Sequence, residues 1–138
     1  MPIPLPPPER AIVQAFNAQR AVHGLPALRL NRRLSRTAER HSRDLMRHDR
    51  LSHTSTDGTS LARRIARAGS FRLKGEVLAF APNGSGARAR AVVRLFMRSP
   101  PHRAQLLDPR YRILGVGRVR GGMRGARGVV VTVDLAAR

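Results

Sequence analysis

Cysteine is absent from the 138-residue chain, which excludes disulfides, thiolate zinc sites and a cysteine nucleophile. Tryptophan is absent too, tyrosine occurs once, and aromatics make up 4%, too few for a platform on which single-stranded bases stack. No apolar run approaches the ~20 residues of a membrane-spanning helix. The opening Met1-Pro2-Ile3-Pro4-Leu5-Pro6-Pro7-Pro8-Glu9-Arg10 lacks the apolar stretch of a signal peptide, so no secretion address is expected in the chain as it stands. Acids are scarce: 8 Asp and Glu stand against 27 Lys and Arg, a formal charge of +19. Lys74 is the only lysine. Such an arginine skew follows from a nucleotide composition rich in arginine codons as easily as from selection for a charged surface. Either way the positive field attracts polyanions at low salt.

What is present reads as globular. Hydrophobic residues make up 41%, and a chain of this length favours one domain that buries roughly two thirds of its unfolded surface. Met1 to Pro8 reads as a proline-rich, extended lead-in, followed by a single domain over residues 9–138. A first helix is predicted from Glu9, with Ile12, Val13, Phe16 and Arg20 at helical spacing and Gly24 and Pro26 as the stop. Leu28-Arg29-Leu30 is too short to assign. Asn31 is a good N-cap for a second helix in which Leu34, Ala38, His41 and Leu45 share a face and the arginines lie mostly opposite. Thr59 or Ser60 caps a third helix holding Leu61 and Ile65. A strand is predicted over Gly75 to Phe80, a fourth helix through Ala89, Val92, Val93, Phe96 and Met97, and a short fifth capped by Ser99 and running from the prolines to Leu107. Val129 to Leu135 alternates as a half-buried strand, paired with Ile113 to Arg120 through a glycine-rich connection, Gly121 to Gly128. Helices first and a hairpin last indicate an α+β fold.

Several stretches together resemble a known family. Phe16-Asn17-Ala18-Gln19-Arg20-Ala21 and Gly24-Leu25-Pro26-Ala27-Leu28 are similar to the opening helix and turn of the CAP superfamily (the SCP/TAPS domain) in its short, cysteine-free bacterial form. Ala38 to Ser42 resembles its "A-x-x-H-S" run, Leu51-Ser52-His53-Thr54 with Asp57-Gly58 its first histidine loop, and Gly75-Glu76 the start of its "G-E-N" motif. The most specific match is Ser99-Pro100-Pro101-His102-Arg103-Ala104-Gln105-Leu106-Leu107-Asp108-Pro109, which is similar to "S-P-x-H-R-x-x-L-L-x-P". The resemblance spans about Glu9 to Leu135. It implies a three-layer α-β-α sandwich with a small antiparallel sheet, and a bacterial protein placed outside the cell or in its envelope. The chain departs from the pattern at Val77, where the motif has Asn, and at Phe96, near which the family carries Trp. It has no acid between Val92 and Arg98 to match a second cleft glutamate.

The resemblance further implies a cleft lined by His53, Glu76 and His102. Two neutral imidazoles and a carboxylate can bind zinc, leaving a position for water, and the same trio can supply acid, base and orienting group in hydrolysis. The spacing by itself matches no local ligand motif, so the grouping comes from the resemblance alone. Equally open is a purely structural use: Glu76 anchoring a loop, His102 bonding at a helix start. His41 reads as a satisfied core histidine, His48 as solvated, and Asn17 and Arg20 as ties between the first helix and nearby loops. Asp134 is either an exposed-face strand residue or an arginine partner. The leading expectation is a monomeric domain binding a small ligand, an envelope component or zinc. The alternatives are a hydrolase built on the same trio and a nucleic-acid or polyanion binder using Arg36, Arg40, Arg43, Arg47, Arg63, Arg64 and Arg67.

Overall fold

Alternation along the last strand sets the layering. In the computed structural model, which describes residues 5–138, odd residues Val129, Val131, Val133 and Leu135 enter one apolar cluster with Ile12, Phe16, Val92, Val93 and Phe96. Even residues Val130 and Ala136 enter two others, with Leu45 and with Leu34 and Ile65. The strand β4 (Ala126–Ala137) is therefore buried on both faces from Val129 onward, not half-buried as its alternation suggested. Its polar Thr132 and Asp134 lie under a helix instead of in solvent.

The four strands run in the order β1-β3-β4-β2. β2 (Leu73–Pro82) and β3 (Ile113–Met123) flank β4 antiparallel, and the two-residue β1 (Arg29–Leu30) pairs parallel with β3. Helix α2 (Arg32–Arg47) covers one face with the short α3 (Leu61–Ala66). Helices α1 (Pro7–Val22) and α4 (Ala89–Arg98) pair on the other, and α5 (Pro100–Leu106) adds Leu106 to their cluster. The result is the α-β-α sandwich that the resemblance implied.

Three local expectations shift. The first helix begins at Pro7, because prolines at its first positions lack only N–H groups that no helical carbonyl would bond. Pro7 and Pro8 thus leave the expected lead-in, whose residues 1–4 lie outside the described part. The glycine-rich segment is mainly strand: β3 continues to Met123 and the hairpin turns on Arg124 and Gly125, both at positive φ, the geometry of the tightest hairpin turn. Asn31 and Ser60 cap α2 and α3 by accepting the N–H groups of Leu34 and Arg63, whereas Ser99 makes no side-chain cap.

Helix α2 sits unusually close to the sheet. A Cβ on Gly117 would lie 2.1 Å from the backbone nitrogen of Glu39, and one on Gly115 would lie 2.2 Å from the carbonyl carbon of Leu34. Ser35 and Ser42 use this proximity, accepting the N–H of Val116 and donating to the carbonyl of Gly117.

Candidate functional site

Glu76 on β2 and Asp134 on β4 are directly opposed in the strand register, on the α2 side of the sheet. Two carboxyls buried side by side need a counter-charge or a shared proton, and both are present. Arg64 projects from α3 on the face it shares with Leu61, Ile65 and Ala68, and is only 4% exposed. Its Nη2 donates to Glu76 Oε1 at 3.0 Å and Oε2 at 2.8 Å, and to the backbone carbonyl of His53 at 2.8 Å. Its Nη1 stands 3.8 Å from Asp134 Oδ2, which also accepts the Thr37 hydroxyl at 3.0 Å.

The shared proton resides on Asp134. Burial foremost, then the hydrogen bond and charge of Glu76, hold its carboxyl well above the ordinary value. Burial would push Glu76 up as well, but the Asp134 and His53 hydrogen bonds with the Arg64 charge outweigh it and hold Glu76 below its ordinary value. Asp134 Oδ1 is buried and receives no donor among the described residues.

This assignment has a measurable sign. A raised folded-state value stabilises the fold fully below the ordinary carboxyl value of 3.8, and that contribution is lost as pH rises through the folded value. Asp134→Asn keeps a donor for Glu76 and an acceptor for Thr37 without titrating. Relative to the wild type it is expected to gain stability as pH rises from 4 through the folded-state value of Asp134. Urea midpoints across that range check this, and parallel curves for the two proteins would place the proton elsewhere.

Above this buried floor stand three histidines. His53, on the loop before α3, has a side chain 51% exposed, and its Nδ1 lies 2.8 Å from Glu76 Oε1. Against an ionised carboxylate Nδ1 carries the hydrogen and donates, which leaves Nε2 as a free acceptor. His102, near the start of α5, packs edge-on against Phe96 with ring centroids 5.4 Å apart. Burial, then the charge of neighbouring His53, hold its pKa below the ordinary value, so it is neutral at neutral pH. His41 is 1% exposed and donates from Nε2 to the Ser52 carbonyl at 2.6 Å. It is a satisfied core residue, and its Nε2 also stands 3.8 Å from Glu76 Oε1.

The geometry groups His53 with Glu76 directly, while His102 is linked to His53 only through the charge of His53. It does not present Glu76 as a third donor beside two imidazoles. The carboxylate is 4% exposed, with both oxygens turned to Arg64 and one to His53, and a guanidinium this close repels a dication. Among the described residues no three His, Cys, Asp or Glu side chains come together to hold a metal ion. A zinc site with His53, His102 and Glu76 as its three ligands therefore does not fit. Glu76 instead fixes the His53 ring from behind.

The sequence reading has Arg64 only as a polyanion contact, leaves Asp134 open between an exposed strand residue and the arginine partner that it is, and does not single out Thr37. The signal for Arg64 was its place at helical spacing with Leu61, Ile65 and Ala68, which put it on a buried face. For Asp134 it was a strand apolar at odd and even positions alike, which meant cover on both sides. Burial also removes Arg64 from the expected polyanion contacts. Of the rest, Arg36, Arg40, Arg43 and Arg47 follow one another at intervals of 4, 3 and 4 along α2, Arg43 is paired with Glu39 at 2.8 Å, and Arg40 and Arg67 line a small cavity of about 220 Å³ with Asp44 and Asp57. Asn17 and Arg20 act as ties, as expected. Asn17 exchanges two bonds with Leu28, and buried Arg20 donates to the carbonyls of Pro26, Leu106 and Asp108.

Comparison with known proteins agrees with this architecture. The family described as cysteine-rich secretory proteins (CAP) matches over residues 13–135. The protein YkwD of Bacillus subtilis (strain 168) is 30% identical over 116 residues, covering 83% of this chain but 43% of that protein. The chain thus spans less than half the length of that relative. An extracellular SCP-domain protein from Bacillus anthracis str. Ames superposes with a TM-score of 0.79 at 25% identity, over 99% of this chain and 45% of its own. An outer surface protein of Borrelia burgdorferi superposes with a TM-score of 0.78 at 22% identity, over 99% and 96%, a likeness of fold alone. Among the described residues no helix is long and apolar enough to cross a membrane.

Proposed function

The chain belongs to the CAP family, and from that premise we propose that it is an extracellular or envelope-associated binding domain whose ligand site is the cleft between His53 and His102. The observation that carries this reading is the coupling of a half-exposed imidazole to a buried, charge-balanced floor. His53 is held by Glu76, and Glu76 by Arg64 and Asp134. A residue meant only for solvent needs no such support, whereas a ligand contact gains from a fixed ring and tautomer.

Imidazole acceptor nitrogens suit hydroxyl or amine donors on a small polar ligand and the coordination of a divalent ion. Zinc held there would supply Lewis acidity to a bound water. Glu76 would keep Nδ1 of His53 protonated and so direct Nε2 outward, and Arg64 would keep Glu76 from turning toward the ion. The extracellular placement draws support from the extracellular and outer-surface proteins that share the fold.

Zinc is the first probe. Calorimetry at neutral pH is expected to show one-to-one binding that weakens at least about tenfold, or about 1.4 kcal/mol, in His53→Ala/His102→Ala. Equal binding by both proteins, or none by either, would remove the metal reading. Imidazole NMR shifts on adding small polyols then test the polar-ligand reading separately.

A further inference from the structure

Where the start of α1 meets α2 and β3, two adjoining cavities of about 610 and 480 Å³ open. Both are within the range of ligand-binding clefts, and they share Pro8, Arg118 and Arg120 as common walls. Arg32 and Arg36 enter the larger from successive turns of α2, and Arg88 enters the smaller from just before α4. Five guanidinium groups thus border one continuous groove.

No carboxylate of the described residues is committed to these five. Among the described residues, none of the five forms a side-chain hydrogen bond or ion pair, whereas Arg43, Arg64 and Arg110 each hold a carboxylate. The larger cavity has two acids. Glu39 is engaged by Arg43 at 2.8 Å. Glu9 is buried, and that burial raises its carboxyl above the ordinary value even against the charge of Arg118. Arg118 and Arg120, two apart on β3, point to the same face, and burial followed by the charge of Arg120 lowers the Arg118 pKa. Like charges held together and partly out of water are an energetic cost to the free protein, which an anion relieves on binding.

We propose that this groove binds an extended phosphodiester chain. Several separate guanidinium forks along a groove suit repeated phosphates, which arginine engages through paired N–H donors. Among the described residues no aromatic side chain lines either cavity, so recognition is of the backbone and not of stacked bases. The same chemistry occurs in a poly(glycerol phosphate) of the envelope type and in a nucleic acid. The proposal is independent of the His53–His102 cleft and survives the failure of that reading.

The test is fluorescence anisotropy on the whole chain with three labelled probes: a glycerol-phosphate oligomer, oligothymidylate, and oligoglutamate of equal charge. Arg36→Gln/Arg118→Gln/Arg120→Gln is compared with Arg63→Gln/Arg94→Gln/Arg98→Gln, which removes the same charge from exposed arginines outside the groove. Both variants are first shown to melt as the wild type does. At 150 mM salt the groove variant is expected to bind both phosphodiesters about tenfold or more weakly, with the salt slope reduced by about two to three, while the control variant changes less than about twofold. Whichever phosphodiester binds tighter identifies the source. Equal losses in the two variants, no loss in either, or oligoglutamate binding as tightly as the phosphodiesters would each overturn the proposal.

Discussion

Replacing Arg64 with methionine is expected to cost about 3–5 kcal/mol of stability at neutral pH, the range for breaking a buried ion pair from one side. Methionine fills much of the same volume, so the loss is electrostatic. Glu76 keeps its burial while losing both Arg64 hydrogen bonds, and the His53 carbonyl loses its donor. The sign of the pH dependence follows from Glu76. Its folded-state value is depressed, so the wild type gains stability above the ordinary carboxylate value of 4.5 and loses it as pH falls through the lower folded value. Without Arg64 the carboxylate can take up a proton instead, and the gap between the two proteins should narrow from pH 7 toward pH 4. Urea denaturation at both values measures this, alongside Arg64→Met/Glu76→Gln, which removes both charges and should recover at least half of the loss. A single variant within about 1 kcal/mol of wild type would reduce the pair to the weight of an exposed salt bridge.

The second large effect is steric. Gly117→Ala is expected to destabilise by about 3 kcal/mol, the upper end of overpacking costs, because its Cβ would meet the backbone of α2 at Glu39 and Ala38 within 2.3 Å. Backbone cannot step aside as a flexible side chain can, so the whole helix must lift. Lifting it stretches the Ser42 bonds to the Gly117 carbonyl and to the Thr132 hydroxyl and loosens Leu34, Ala38 and Leu45 against the sheet. Gly122→Ala is the control: its nearest neighbour is Ala126 O at 3.8 Å, and a change within about 0.5 kcal/mol is expected. Equal melting temperatures for the two variants would mean that α2 has slack the geometry does not show. Because Thr37 and His41 ride on α2, a lifted helix should also disturb the network beneath His53.

Much of the site's composition was legible in the sequence through resemblance. His53, Glu76 and His102 came from three matched stretches, and two of them prove to be hydrogen-bonded to each other. Their separation along the chain matched no ligand motif, so spacing alone carried no grouping. Arg64 and Asp134 were legible only as members of periodic patterns. Each is a charged residue on a face that its neighbours bury, and propensity treats such a residue as solvent-facing because burial of an unpaired charge is so unfavourable. The two overturn that expectation together, by supplying a counter-charge and a proton to one carboxylate.

What the sequence determined by itself is local. Caps at Asn31 and Ser60, prolines opening α1 and α5, and alternation along β4 follow from backbone sterics and from interactions within a few residues. These settle where most helices and strands lie and which side chains share a face. Tertiary structure alone decided that both faces of β4 are covered, that Glu76 stands opposite Asp134, and that α3 brings Arg64 between them. The register between β2 and β4 is a property of two distant segments, set by packing on both faces at once. A shift of one residue would turn every side chain of β2 to the other layer, taking Glu76 from its arginine into the apolar cluster.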